Sequence, residues 1–133
     1  MTKIPTIEEQ VESLKSLDYE TLVKTYIGID LRTNKIIDYK KLFSHVYTVK
    51  KSEIKKYLQD HYSLDELVPI VPDLNPPFPE KELWALKVKD GYEVYNFDLG
   101  KFAGKTILSN EDAVLDYYIE HITNGSGTVK FKE

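Results

Sequence analysis

The sequence predicts an α+β fold, in which a helical N-terminal half packs on a small antiparallel β-sheet and a helix follows the sheet. Apolar residues recur every three or four positions in the first half, whereas they alternate with polar residues from Glu82 onward. Between these two patterns, residues 68–79 hold five of the six prolines, and proline disrupts both helices and central strands. We therefore expect one domain over residues 1–133, with residues 68–79 as an ordered connector.

Composition narrows the class of protein. The 133 residues are 41% apolar and 30% charged, which is enough apolar material for a core. The absence of cysteine excludes disulfides, thiolate metal sites and cysteine nucleophiles. No apolar run approaches the roughly 20 residues that span a bilayer, and the N-terminus lacks the apolar segment of a secretory signal. We expect an acidic, cytoplasmic protein without a membrane partner.

Capping patterns place the helices of the first half. Thr6 and Glu9 form a capping box ahead of the first helix, and Asp18 caps a second helix over residues 19–27 that Gly28 ends. Residues 29–37 fit either a short hairpin or an irregular loop. Further helices are predicted after Asp38, from Ser52 to His61 and after the capping box of Ser63 and Glu66, and the first two of these could be continuous.

The second half has the alternation of strands. A strand over residues 82–89, an Asp90-Gly91 turn and a return strand over residues 92–99 predict a hairpin. On the return strand, Tyr92 and Val94 share one face, with Glu93, Tyr95 and Phe97 on the other. A glycine turn over residues 100–104 then leads into a strand over residues 105–108.

The chain closes with a helix. Ser109 or Asn110 caps this helix, and Asn124-Gly125 ends it. Residues 128–132 alternate in polarity and are compatible with an edge strand that could pair between chains, so both monomer and dimer remain open.

Residues that carry chemistry are sparse. The run from Gly100 to Thr106 is similar to a phosphate-binding loop, but it has three residues between its glycines instead of four and precedes a predicted strand. His45, His61 and His121 have no partner at metal-ligand spacing. The sequence therefore predicts a non-catalytic protein without a metal or cofactor.

Charge is distributed unevenly along the chain. Residues 40–56 contain six lysines and one acid, whereas residues 60–73 contain four acids and no Lys or Arg. Acidic side chains also follow one side of the last helix. These groups are either solvated faces that complement helix dipoles or an acidic surface that docks on a basic partner.

The docking hypothesis names candidate partner-binding residues. The two acidic patches are Asp112, Asp116 and Glu120 on the last helix, and Asp60, Asp65 and Glu66 before the connector. Trp84 and Tyr95 are candidate aromatic anchors, provided that they face out of the sheet, because tryptophan and tyrosine are enriched at binding hot spots. Lysines interleaved with Phe43 and Tyr47 invite a nucleic-acid hypothesis, but the net charge of −4 and the lack of arginine there argue against it.

The layout of the last third resembles a known class of proteins. A strand containing Trp84, an Asp-Gly turn, a tyrosine-rich strand and a short strand lead into the helical stretch Ser-Asn-Glu-Asp-Ala-Val-Leu-Asp-Tyr-Tyr-Ile. This order is similar to the C-terminal half of small immunity proteins of bacterial polymorphic-toxin and contact-dependent inhibition systems. The resemblance implies inhibition of a cognate toxin, often a basic nuclease, by occlusion of its active site or an exosite.

Two other functions fit the sequence. A phage- or plasmid-encoded regulator of a different protein target would need the same kind of charged, aromatic surface. A small nucleotide-binding enzyme would use Lys105 and Thr106 at the glycine-rich run.

Overall fold

The computed structural model describes residues 4–16, 18–28, 30, 43, 45–98 and 101–124. Within these ranges the predicted α+β class is confirmed. The helices are α1 (Ile7–Ser16), α2 (Tyr19–Tyr26), α3 (Lys51–His61), α4 (Leu64–Leu67) and α5 (Glu111–Asn124). The strands are β1 (Ile70–Val71), β2 (Leu83–Val88), β3 (Gly91–Asp98) and β4 (Lys101–Leu108).

The chain divides into two compact units. The first unit consists of Met1–Leu58 and Ile119–Glu133, and the second consists of Gln59–Tyr118. Helices α1 and α2 belong to the first unit, whereas α4 and all four strands belong to the second. Organisation as one domain stays a prediction.

The predicted helix caps are present. The Glu9 N–H donates to Thr6 Oγ1 over 3.1 Å, and the Thr6 N–H donates to Glu9 Oε1 over 3.0 Å. The Asp18 carboxylate accepts the Thr21 N–H at the start of α2. Ser63 and Glu66 form the second reciprocal capping box, ahead of α4. These side chains satisfy amide groups that a helix N-terminus leaves unpaired.

Helix ends agree with the sequence patterns to within one or two residues. Helix α2 ends at Tyr26, and Gly28 has a φ of +84°, the left-handed conformation that favours glycine after a helix. Phe43, His45 and Val46 are helical, whereas residues 47–50 are not, so α3 is separate from the helix predicted after Asp38. The predictions for residues 31–37 and 38–42 lie outside the described residues.

A buried glutamine organises the first unit. Gln10, only 2% exposed, accepts the N–H groups of Thr48 and Val49 at its Oε1 over 2.8 and 3.0 Å. Its Nε2 donates to the Pro5 carbonyl over 2.8 Å. One amide side chain thereby pairs with backbone groups of two segments, the one before α1 and the one before α3. Burying such groups without a hydrogen-bond partner would cost free energy.

Aromatic rings fill the core beside this glutamine. The rings of Tyr19, Phe43 and Tyr47 lie 5.7–6.0 Å apart between centroids. The Tyr47 hydroxyl lies 2.6 Å from the Ser13 hydroxyl. Burial raises the pKa of Tyr47, and to a smaller extent that of Tyr19, above the ordinary value of a tyrosine because the phenolate is poorly solvated there.

The sheet has the strand order β1-β2-β3-β4. The β2–β3 and β3–β4 pairs are antiparallel, as predicted. The sheet also has an edge strand that was not predicted, β1, which pairs with β2 in parallel and makes the sheet mixed. The connector therefore contains a two-residue edge strand between Pro69 and Pro72. Proline is tolerated at these flanks because an edge strand leaves one side of its backbone unpaired.

Two predicted turns are displaced. The β2–β3 turn consists of Lys89 and Asp90, since Val88 already pairs with Gly91. Strand β4 begins at Lys101, so the predicted glycine turn over residues 100–104 is wrong for residues 101–104. Gly104 pairs with Asn96 inside the ladder, because a longer hairpin satisfies more backbone groups than a wide loop would.

Helix α5 begins after Asn110, whose side-chain oxygen accepts the Ala113 N–H over 2.8 Å. Asn110 is thus the cap among the two predicted candidates. The edge strand predicted over residues 128–132 lies outside the described residues.

Gly91 offers a test of the hairpin geometry. Its φ is +153°, and a Cβ added there would collide with the Leu108 carbonyl oxygen, whereas a Cβ at Gly104 meets nothing within 4 Å. We expect Gly91→Ala to lower the free energy of unfolding by about 1–3 kcal/mol. The matched change Gly104→Ala should lower it by less than about 0.5 kcal/mol. Urea denaturation measures the free energy of unfolding of both variants. Equal decreases would contradict the prediction that a Cβ is tolerated less well at Gly91 than at Gly104.

Candidate functional site: the aromatic face of the sheet

The strand register gives the sheet two faces of different character. Side chains alternate along a strand, and residues opposite each other on paired strands share a face. Trp84 lies opposite Tyr95, and Ala85 lies opposite Val94. One face therefore carries Ala85 and Val94, and the other carries Trp84 and Tyr95. We call the first the inner face and the second the outer aromatic face.

The inner face forms the core of the second unit together with α5. Its central residues, Ala85 and Val94, are fully buried. The Tyr92 hydroxyl donates to Glu111 on α5 over 3.4 Å, and the hydroxyls of Thr106 and Tyr117 lie 3.5 Å apart. The part of α5 in this unit, residues 111–118, therefore contacts this face. The predicted grouping of Tyr92 with Val94 is confirmed.

The outer aromatic face is a cluster of stacked rings. The Trp84 ring lies 4.8 Å from Tyr95, 5.4 Å from Phe78 and 5.7 Å from Phe97, with interplanar angles of 22°, 13° and 14°. Phe102 continues the cluster with its centroid 5.8 Å from that of Phe97. Trp84 is only 4% exposed, because its neighbours cover it.

Three apolar side chains at this face remain open to solvent. Phe78 is 44% exposed, Phe102 60% and Ile107 72%. Exposed apolar side chains on one face of a domain are typical of interaction sites.

A β-bulge brings two of these side chains to the same side. Phe97 pairs with Phe102 and Asn96 pairs with Gly104, so Ala103 is an extra residue on β4. Without it, Phe102 and Ile107 would point to opposite faces, because they are five positions apart. The bulge therefore adds Phe102 to the outer aromatic face.

A cleft of about 500 Å³ opens beside the cluster. Its aromatic wall consists of Phe78, Trp84 and Phe97, and its remaining lining is the segment Pro79, Glu80, Lys81 and Glu82. The Lys81 Nζ lies 3.4 Å from the backbone carbonyl oxygen of Glu66. The cleft is thus lined by aromatic rings and by two residues that carry carboxylate groups, Glu80 and Glu82.

The charge of the chain is divided between its two units. The second unit holds five lysines and 12 acidic residues, a formal charge of −7, whereas the first holds 13 basic and 10 acidic residues, a charge of +3. On the outer aromatic face itself, Glu93 and Lys105 form an ion pair over 3.4 Å. The aromatic face therefore belongs to a strongly acidic unit.

The acidic residues predicted on the last helix differ in their surroundings. Asp112 and Asp116 are exposed on α5 and, being four residues apart, lie on one side of the helix. Glu120 is also exposed, but it forms an ion pair with Lys51 within the first unit. Part of its charge is therefore offset inside the protein.

The second predicted acidic patch includes residues with local structural roles. Asp60 is exposed near the end of α3. The Asp65 carboxylate accepts the Ile70 N–H over 2.9 Å at the start of β1, and Glu66 completes the capping box of α4. Two of the three acidic residues in this patch therefore stabilise local structure, whether or not the patch also binds a partner.

The two predicted aromatic anchors lie together. Trp84 and Tyr95 both belong to the outer aromatic face, but the accessible surface comes from Phe78, Phe102 and Ile107, which sequence reasoning did not select. The alternation of Tyr95 and Phe97 predicted this face in part. The position of Phe102 depends on the bulge, which no local pattern indicated.

The glycine-rich run does not form a loop. Lys101, Gly104, Lys105 and Thr106 lie in the extended strand β4, whose backbone groups pair with β3. A phosphate-binding loop instead points successive N–H groups at the anion ahead of a helix. The described part of this run lacks that geometry.

No family model, curated protein or solved structure matches this chain. Among the helices in the described ranges, none has the length and apolar composition of a membrane span. Residues 4–16, 18–28, 30, 43, 45–98 and 101–124 contain no cluster of three or more His, Asp or Glu side chains suited to a metal ion.

Stability measurements can separate the buried part of the outer aromatic face from its accessible part. We expect Trp84→Ala to lower the free energy of unfolding by about 3–5 kcal/mol, because it empties a packed site. Phe102→Ser should lower it by less than about 1 kcal/mol, because most of the ring already contacts water. Urea denaturation of both variants checks this, and similar losses would show that Phe102 supports the fold.

Proposed function

We propose that this protein is a non-catalytic protein-binding inhibitor, an immunity protein that neutralises a cognate bacterial toxin in the cytoplasm. It would cover the active site of the toxin or an adjacent exosite. The observation that supports this proposal is the outer aromatic face, where Phe78, Phe102 and Ile107 are exposed on an acidic unit.

The aromatic part of this surface supplies the means of tight binding. Large rings bury much apolar area and lose little conformational freedom, so they dominate the energetics of protein interfaces. Here the stack on Trp84 holds Phe78 and Phe97 in place before a partner arrives. A surface already ordered in this way loses less entropy on binding.

The charge of the second unit favours a basic partner. A formal charge of −7 on 60 residues attracts cationic proteins and accelerates their encounter. The same charge repels nucleic acid, whose backbone is polyanionic. A basic nuclease toxin is therefore the partner class we favour, since an acidic surface competes with its substrate for the same cationic site.

Capture of the partner tests this proposal. We expect the tagged wild-type protein to retain one basic protein from a lysate of its native cells, identified by mass spectrometry. The double variant Phe102→Ser/Ile107→Ser should reduce retention at least tenfold, because it removes the exposed apolar centre. The matched control is Ile4→Ser/Ile7→Ser, which changes two exposed apolar residues of the first unit and should retain the partner.

Inhibition by the purified protein completes the test. If the captured protein is toxic to cells or degrades nucleic acid, and the wild type suppresses this activity, the proposal is supported. Capture of a metabolic or regulatory protein instead would favour the regulator hypothesis. Retention that the outer-face variant leaves unchanged would remove the aromatic face from the interface.

Charge reversal separates the two predicted acidic patches. We expect Asp116→Lys or Asp60→Lys to slow association with the captured partner several-fold at low salt, with little change in dissociation, because exposed charges act mainly on encounter. Stopped-flow or surface-based kinetics at several salt concentrations measure this. An association rate that neither variant changes would contradict steering by these patches.

A further inference from the structure

We infer that the cleft beside Trp84 is a binding site for a guanidinium group, supplied by an arginine side chain of the partner protein. This inference deepens the proposed binding function and rests on it. It assigns the cleft a ligand of defined chemistry, a planar cation that contacts both aromatic walls and carboxylates.

The aromatic lining of the cleft is a set of nearly parallel rings. The planes of Phe78 and Phe97 lie within 13° and 14° of the Trp84 plane, so the three rings form an ordered stack. All three line the cleft, and Phe78 is partly open to solvent. A guanidinium group is planar and weakly hydrated, and it stacks on aromatic faces with a favourable cation–π interaction.

Carboxylates at the cleft complement a cation. Glu80 and Glu82 both line it and are exposed. The one cation in the lining, Lys81, has its ammonium nitrogen 3.4 Å from the Glu66 carbonyl oxygen. The planar guanidinium group of an arginine can therefore stack on the rings while its N–H groups donate to carboxylate oxygens. This geometry favours a guanidinium group over an ammonium group.

Other ligands use only part of these features. An apolar side chain would contact the rings but would carry no charge complementary to the carboxylates of Glu80 and Glu82. A phosphate or nucleotide would meet those two carboxylates within a unit of charge −7 and would be repelled. A lysine ammonium satisfies the charge but lacks a planar surface to stack on the rings.

Small-molecule probes test the cleft without any partner protein. Trp84 is the only tryptophan of the chain, so its fluorescence reports on this site. We expect N-acetyl-arginine amide to produce a saturable change in the millimolar range. The neutral isostere N-acetyl-citrulline amide should bind at least fivefold more weakly, and N-acetyl-lysine amide should be intermediate.

Variants connect the response to the two carboxylates. Glu80→Gln/Glu82→Gln should weaken binding of the arginine probe at least fivefold while leaving the fluorescence of the unliganded protein close to that of the wild type. The matched control, Asp90→Asn, removes an acidic charge from the β2–β3 turn of the same unit, outside the cleft lining, and should bind as the wild type does.

The results separate this inference from the proposed function. Three results would overturn the guanidinium assignment. They are the absence of a saturable response, equal binding of the arginine and citrulline probes, and equal binding of the arginine and lysine probes. Partner capture through Phe102 and Ile107 is independent of these results. Probe binding together with failure to capture a partner would support the cleft and overturn the proposed inhibitor.

Discussion

The register between β2 and β3 is the constraint on which the second unit depends. Trp84 opposite Tyr95 sets one face, and Ala85 opposite Val94 sets the other. A slip by one residue would exchange the two faces, because strand side chains alternate. It would place the indole where α5 packs and turn the small core residues outward. The register therefore specifies which residues form the aromatic face.

This arrangement explains how β2 has buried residues on both of its faces. Leu83, Trp84 and Ala85 are all buried, but by different means: the inner pair lies on the face covered by α5, whereas Trp84 is covered by the rings around it. The rings above Trp84 are in turn only partly covered. In the function we propose, a partner that binds there would extend this hydrophobic layer, and the charge of the acidic unit would attract a basic protein.

The acidic residues of the second unit serve more than one purpose. Asp65 and Glu66 satisfy backbone amides at the start of β1 and α4, whereas Asp112 and Asp116 are exposed along α5. In the first unit, Lys51 pairs with Glu120. A run of acidic residues in the sequence can therefore include carboxylates that satisfy backbone amides as well as carboxylates on the surface.

The sequence by itself determined the helix caps at Thr6, Asp18 and Ser63, the α+β class and the β2–β3 hairpin, because these depend on contacts between residues close in the chain. Only the tertiary structure decided the parallel pairing of β1, the bulge at Ala103 and the cleft lined by Phe78 and Phe97. The reason is physical. Strand order, bulges and clefts arise from pairing and packing between distant segments, whose relative placement leaves no local pattern in the sequence.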